Sequence, residues 1–198
     1  MSSSKLFWYA ARSNGLVAWG VLAASMLWGL ALSTKVLGRR PRSAWLLDMH
    51  RFLGGVAVVF TAIHVGTIML DTYVSFGLLE VLVPLTGTWH PDAVAWGIAA
   101  MYLLVAVEVT SLVRTRMSRS AWRITHYLSF PLFALASTHS LTAGTDRHTP
   151  VMRWGIIGVC VAVALLTLVR VVTADRHDLM TTPALRPAQG QAQETRRV

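Results

Sequence analysis

The chain has 198 residues, of which 54% are hydrophobic and only 14% charged, whereas a soluble domain carries about 25% charged residues. Its net charge of +9 sits in short clusters between long apolar runs, a pattern that orients membrane helices and argues against a nucleic-acid surface. The single Cys160 excludes an intramolecular disulfide, and the composition as a whole predicts an all-α, multi-pass membrane protein.

Five apolar runs approach the roughly 20 residues that cross a bilayer. The first covers residues 15–33. Lys5 and Arg12 precede it but are outnumbered by Lys35, Arg39, Arg40 and Arg42 behind it, so it reads as a retained span rather than a signal peptide. The second covers residues 44–70 and carries His50, Arg51 and His64. Residues 73–91, "YVSFGLLEVLVPLTGTWHP", are too interrupted by Gly, Pro and Glu80 to span. They are expected to form an interfacial half-helix, with a re-entrant segment as the alternative.

The third run covers residues 92–113 and is followed by Arg114, Arg116, Arg119 and Arg123. The fourth covers residues 121–143 and carries His126, Pro131 and His139. After a mixed loop with Asp146, Arg147, His148 and Arg153 comes the fifth, residues 151–173, and then a polar tail, 174–198, expected to be disordered. Trp19, Trp45, Trp89, Trp96, Trp122 and Trp154 lie near the ends of the runs, as in an interfacial aromatic belt.

The basic loops after the first and third runs, against the acidic second loop (Asp71, Glu80, Asp92), place the former pair in the cytoplasm by the positive-inside rule. The expected organisation is therefore an outer N-terminal segment (1–14), a bundle (15–173) and a cytoplasmic tail (174–198), in the plasma membrane.

Ionisable residues inside a membrane are costly and point by default to a functional site. In the predicted topology the second and fourth helices both run from inside to outside. His50 and His126 then share an inner level, and His64 and His139 an outer one, about 20 Å apart at about 1.5 Å per residue. One imidazole per helix at each of two levels is the donor set for two stacked haems, each iron held by two axial nitrogens. His50 and His64 are fourteen residues apart and return to one face. His126 and His139 are thirteen apart, which leaves their rings about 100° out of register. Pro131 removes a backbone hydrogen bond between them, and a distortion is expected there. Two other readings of these histidines are core residues bonded to backbone, and a proton or metal-ion pathway. For the latter the only intramembrane carboxylates are Asp48 and Glu108.

The two histidine pairs, with "WRITH" opening the fourth helix and "HSLTAGTD" closing it, resemble the ferric reductase-like transmembrane domain over about residues 44–173. That family includes the membrane halves of ferric reductases and NADPH oxidases and the haem-binding subunit of methionine sulfoxide repair systems. The resemblance implies a dihaem b-type cytochrome that carries electrons singly across the membrane. His50 and His126 would hold the inner iron, and His64 and His139 the outer one. No flavin- or nucleotide-binding glycine motif is present, so the donor is expected to be a separate FAD or FMN protein, or quinol. The acceptor is expected outside, as ferric iron or a partner reductase. A haem-binding anchor or sensor subunit is the alternative, and a transporter a further one; no catalytic residue is assigned.

Haem propionates need cationic partners, and Arg51 and Arg123 stand beside the inner histidines. Both also fit as headgroup anchors. Arg42, Arg114, Arg116 and Arg119 read as topology charges, one of them a partner for Glu108. Gly54 and Gly55 either admit a porphyrin or pack helices. His90, Arg147, His148 and Arg153 flank the expected outer haem edge, Tyr102 and Phe133 are aromatic candidates for a haem face or the core, and His177 lies in the tail.

Overall fold

The computed structural model describes residues 3–34, 43–72, 74, 76–144 and 149–181, with side chains from Leu6 onward except at 43 and 174–181. All regular elements among them are helical: α1 (Ser3–Thr34), α2 (Ser43–Leu70), α3 (Leu78–Leu82), α4 (Pro91–Leu112), a 3₁₀ turn (Arg114–Arg116), α5 (Arg119–Tyr127), α6 (Ser129–Ala143) and α7 (Pro150–Thr181). The loop-one cations Lys35, Arg39, Arg40 and Arg42, and Asp146, Arg147 and His148 of the fourth loop, lie outside the described residues, as do residues 182–198.

Among the described residues four helices are long and apolar enough to cross a membrane: Leu6–Thr34, Ala44–Leu70, Pro91–Leu112 and Pro150–Thr173. They match four of the five expected spans. The fourth expected span is not one helix but two, α5 and α6, parted at Leu128. Pro131 explains the break. Its ring clashes with the carbonyl four residues back, at Tyr127, and it has no N–H to give. The chain tightens there, Leu128 N–H donating to the Thr125 carbonyl at 3.1 Å, before α6 resumes. Ser118 caps α5 by accepting from Ala121 N–H at 3.2 Å. With Arg119, Arg123, Ile124 and Tyr127 exposed, α5 has the profile of an interfacial helix.

Helix α1 is central. It lies along α2 for most of its length and also touches α6 and α7, while α4 packs on α6. Ala23, Met26 and Leu30 of α1 form one core with Phe133 and Val163, and Ala100, Leu104 and Leu132 form a second, with Leu22 and Val58 against it. Two part-buried polar ties fix α1: Trp19 Nε1–H donates to Ser137 Oγ at 3.0 Å, and Trp28 Nε1–H to the Leu46 carbonyl at 3.1 Å. The outward faces stay apolar, with Phe52, Val59, Leu112, Leu165 and Leu168 all more than half exposed. Water would not tolerate so continuous an apolar surface, whereas lipid favours it.

The stretch between α2 and α4 holds only the five-residue α3, whose Glu80 side chain accepts from Gly77 N–H at 2.9 Å. Its Leu78 and Leu79 are exposed. Helix α7 continues to Thr181, so the first eight residues of the expected tail are helical; Ala174, Arg176, Leu179 and Met180 among them are good helix formers.

Candidate functional site: paired histidines with glycine docks

The kink at Leu128 brings the four histidines together by level. The rings of His50 and His126 are 6.0 Å apart at 83°, and those of His64 and His139 are 6.4 Å apart at 72°. The one-residue mismatch in spacing is absorbed by the α5–α6 break, which lies between His126 and His139.

Three of the rings are held by backbone. His64 Nδ1 lies 2.7 Å from the Ala11 carbonyl, His139 Nδ1 2.8 Å from that of Ala93, and His50 Nδ1 3.1 Å from that of Ser25, with Ser25 Oγ at 3.2 Å. A carbonyl only accepts, so Nδ1 carries the hydrogen in each case and Nε2 is left as the lone-pair nitrogen. His126 differs. Its Nδ1 is buried with no partner among the described residues, and its ring stacks on Trp122 at 5.0 Å and 19°.

Glycine makes these approaches possible. A Cβ on Gly15 would stand 2.8 Å from His64 Cε1, on Gly97 2.8 Å from His139 Cε1, and on Gly29 3.0 Å from His50 Cε1. Sequence reasoning had singled out Gly54 and Gly55 instead. Gly54 faces Glu108, and Gly55 meets nothing within 4 Å. The missed glycines did leave a signal, since Gly15 and Gly29 repeat the fourteen-residue interval of His50 and His64. On antiparallel neighbouring helices, equal intervals put one glycine opposite each histidine.

A cavity of about 260 Å³ lies at the outer level, lined by His64, His139, Gly15 and Gly97 together with Arg12 and Asp71. Arg12, whose guanidinium lies 5.0 Å from the Trp8 ring, is the cationic residue that lines it. His90 and Arg153 do not line it. His90 is exposed at the start of α4, in left-handed backbone with φ 42°.

The inner cations lie at the surface. Arg51 is 3.6 Å from Asp48, and Arg123 Nη2–H donates to Tyr127 Oη at 3.4 Å. Glu108 makes no ion pair with an arginine among the described residues; it lies against Gly54. Tyr102 is exposed and bonds the Leu82 carbonyl, so it braces α3 rather than facing the cavity. Phe133 belongs to the core, stacked 6.5 Å from Trp19. The His177 side chain lies outside those described.

An all-helical, multi-pass membrane protein with imidazoles paired at two depths is the class these features define. The chain belongs to the family described as ferric reductase like transmembrane component, which it matches over residues 14–137. The match begins within α1, where the resemblance drawn from the histidine motifs began only at α2, and it ends two residues before His139. No curated protein and no solved structure matches the chain. The family carries transmembrane electron transfer as its general function.

Proposed function

We propose that this protein passes single electrons across the plasma membrane through two b-type haems, one between His50 and His126 and one between His64 and His139. The observation that carries the reading is the ring spacing. Two imidazoles on opposite sides of one iron, with metal–nitrogen bonds of about 2 Å, have ring centres about 6–6.5 Å apart. The observed separations are 6.0 and 6.4 Å. Among the described residues no three His, Cys, Asp or Glu side chains cluster as a metal site; the donor set is two imidazole pairs, which suits axial ligation.

When bound, haem supplies reversible one-electron chemistry. The residues of this chain position it. The carbonyls of Ala11, Ser25 and Ala93 hold three rings in one tautomer and direct Nε2 away from the helix that accepts Nδ1–H. The mostly apolar lining around His64 and His139 lowers the local dielectric at the outer site. Arg51 and Arg123 at the inner end, and Arg12 at the outer cavity, supply cations for propionates. His50, His126, His64 and His139 would hold the two haems, and one-electron transfer through them would call on no acid or base residue.

α6, entered through the interfacial α5, completes the bundle as a fifth, shorter crossing, with the N-terminus outside and the C-terminus in the cytoplasm. Electrons enter at the inner level from a separate flavoprotein or quinol and leave outside to ferric iron or a partner reductase. The test is purification in detergent, a haem count per chain and a reduced-minus-oxidised spectrum. Two low-spin b haems are expected, and a protein purified without haem refutes the proposal.

A further inference from the structure

Three of the four histidines share a device that pairing alone does not require. In an α-helix each carbonyl accepts from the N–H four residues on. For Ala11, Ser25 and Ala93 that residue is Gly15, Gly29 and Gly97, and the same carbonyl lies at the Nδ1 of an imidazole from a neighbouring helix. Any side chain at those glycines would stand between ring and carbonyl.

The docks are unequal between the two levels. Both outer rings have one, and at short distances, 2.7 and 2.8 Å. The inner level has one, at 3.1 Å, and His126 has none. An imidazole that donates Nδ1–H to a strong acceptor gains electron density at Nε2, becomes a more basic ligand and favours the oxidised metal. Nearby charges are mixed at both levels. Arg51 acts on His50 and Arg170 on His126 while Glu108 lies by Gly54, one turn from His50, and Arg12 and Asp71 both line the outer cavity. The docks are the difference with a single sign.

We propose that the glycine–carbonyl docks at Ala11 and Ala93 hold the outer haem at the lower reduction potential, and that the undocked His126 leaves the inner haem at the higher one. This rests on the dihaem reading above. Gly15, Gly29 and Gly97 are positioning residues, acting through the rings they admit.

The experiment is a spectroelectrochemical titration of the purified full chain and two variants. Wild type should titrate in two waves. Gly97→Ala drives the His139 ring off its carbonyl and should raise the lower wave, or abolish it if that haem is lost, while the upper wave stays. Ser25→Ala adds no volume, removes only the hydroxyl beside His50, and should raise the upper wave alone. If Gly97→Ala moves or removes the upper wave, if Ser25→Ala moves the lower, or if neither wave moves in protein holding two haems, the dock assignment is overturned. A wild type without haem overturns the dihaem reading instead, so the two failures are distinct.

Discussion

Replacing Gly15 by alanine tests the dock without reference to any cofactor. The added Cβ would stand 2.8 Å from His64 Cε1 and 2.9 Å from Nδ1, whereas carbon contacts become comfortable at about 3.5 Å. The ring must therefore retreat by about 0.7 Å. Its 2.7 Å contact with the Ala11 carbonyl would stretch to about 3.4 Å, beyond the usual range of about 2.7–3.2 Å for N–H···O. Leaving a buried donor unmet costs about 1–3 kcal/mol, and crowding a packed site costs about the same. The two describe one displacement and do not add. Against them stands a gain of about 1 kcal/mol from alanine's helix propensity. The expected net loss is about 0–2 kcal/mol against wild type and about 1–3 kcal/mol against an unobstructed Gly→Ala change, or a Tm roughly 2–10 °C below that of such a control for a chain of this length. Gly20→Ala is the internal control, because a Cβ there meets nothing within 4 Å and should leave Tm unchanged or raised. Both are measured by thermal unfolding in one detergent, followed by near-ultraviolet circular dichroism. If Gly15→Ala melts at or above Gly20→Ala, the ring is not held as described.

His139→Ala should halve the haem content, removing the outer component of the difference spectrum and keeping the inner; a full complement of two would refute the ligand assignment. Pro131→Ala restores the missing N–H and relieves the clash at Tyr127, allowing α5 and α6 to join through Leu128. His126 should then turn away from His50 and the inner haem be depleted, so an unchanged spectrum would mean that Pro131 does not set the aim. Trp19→Phe deletes the donor to buried Ser137 and should lower stability by about 1–3 kcal/mol. Combining it with Ser137→Ala should cost less than the sum of the single changes, whereas strict additivity in a double-mutant cycle would deny the bond.

The spans were legible because hydropathy is local. Residues 44–70 and 92–113 anticipate α2 and α4 to within a residue or so at each end. The depth pairing was legible too, since a helix rises by a fixed step and four histidine positions give two levels whatever their side chains touch. Pro131 announced a distortion, but its form, a full break at Leu128 that parts an interfacial α5 from α6, depended on how those two segments meet α4 and α7. The docks were hidden for a related reason. A glycine in an apolar helix reads equally as a packing contact or a lipid-facing gap, and Gly15 and Gly55 differ only in what stands opposite them.

The sequence by itself thus determined a helical membrane chain, the depths of its histidines and the place where one helix must fail. These follow from hydrophobic length, helical rise and the chemistry of proline, none of which needs a neighbour. Only the tertiary structure decided that α1 supplies the carbonyls of Ala11 and Ser25, that α4 supplies that of Ala93, and that His126 is left without one. Those choices turn on the rotation of one helix against another, set by packing across the bundle and not written in any single run.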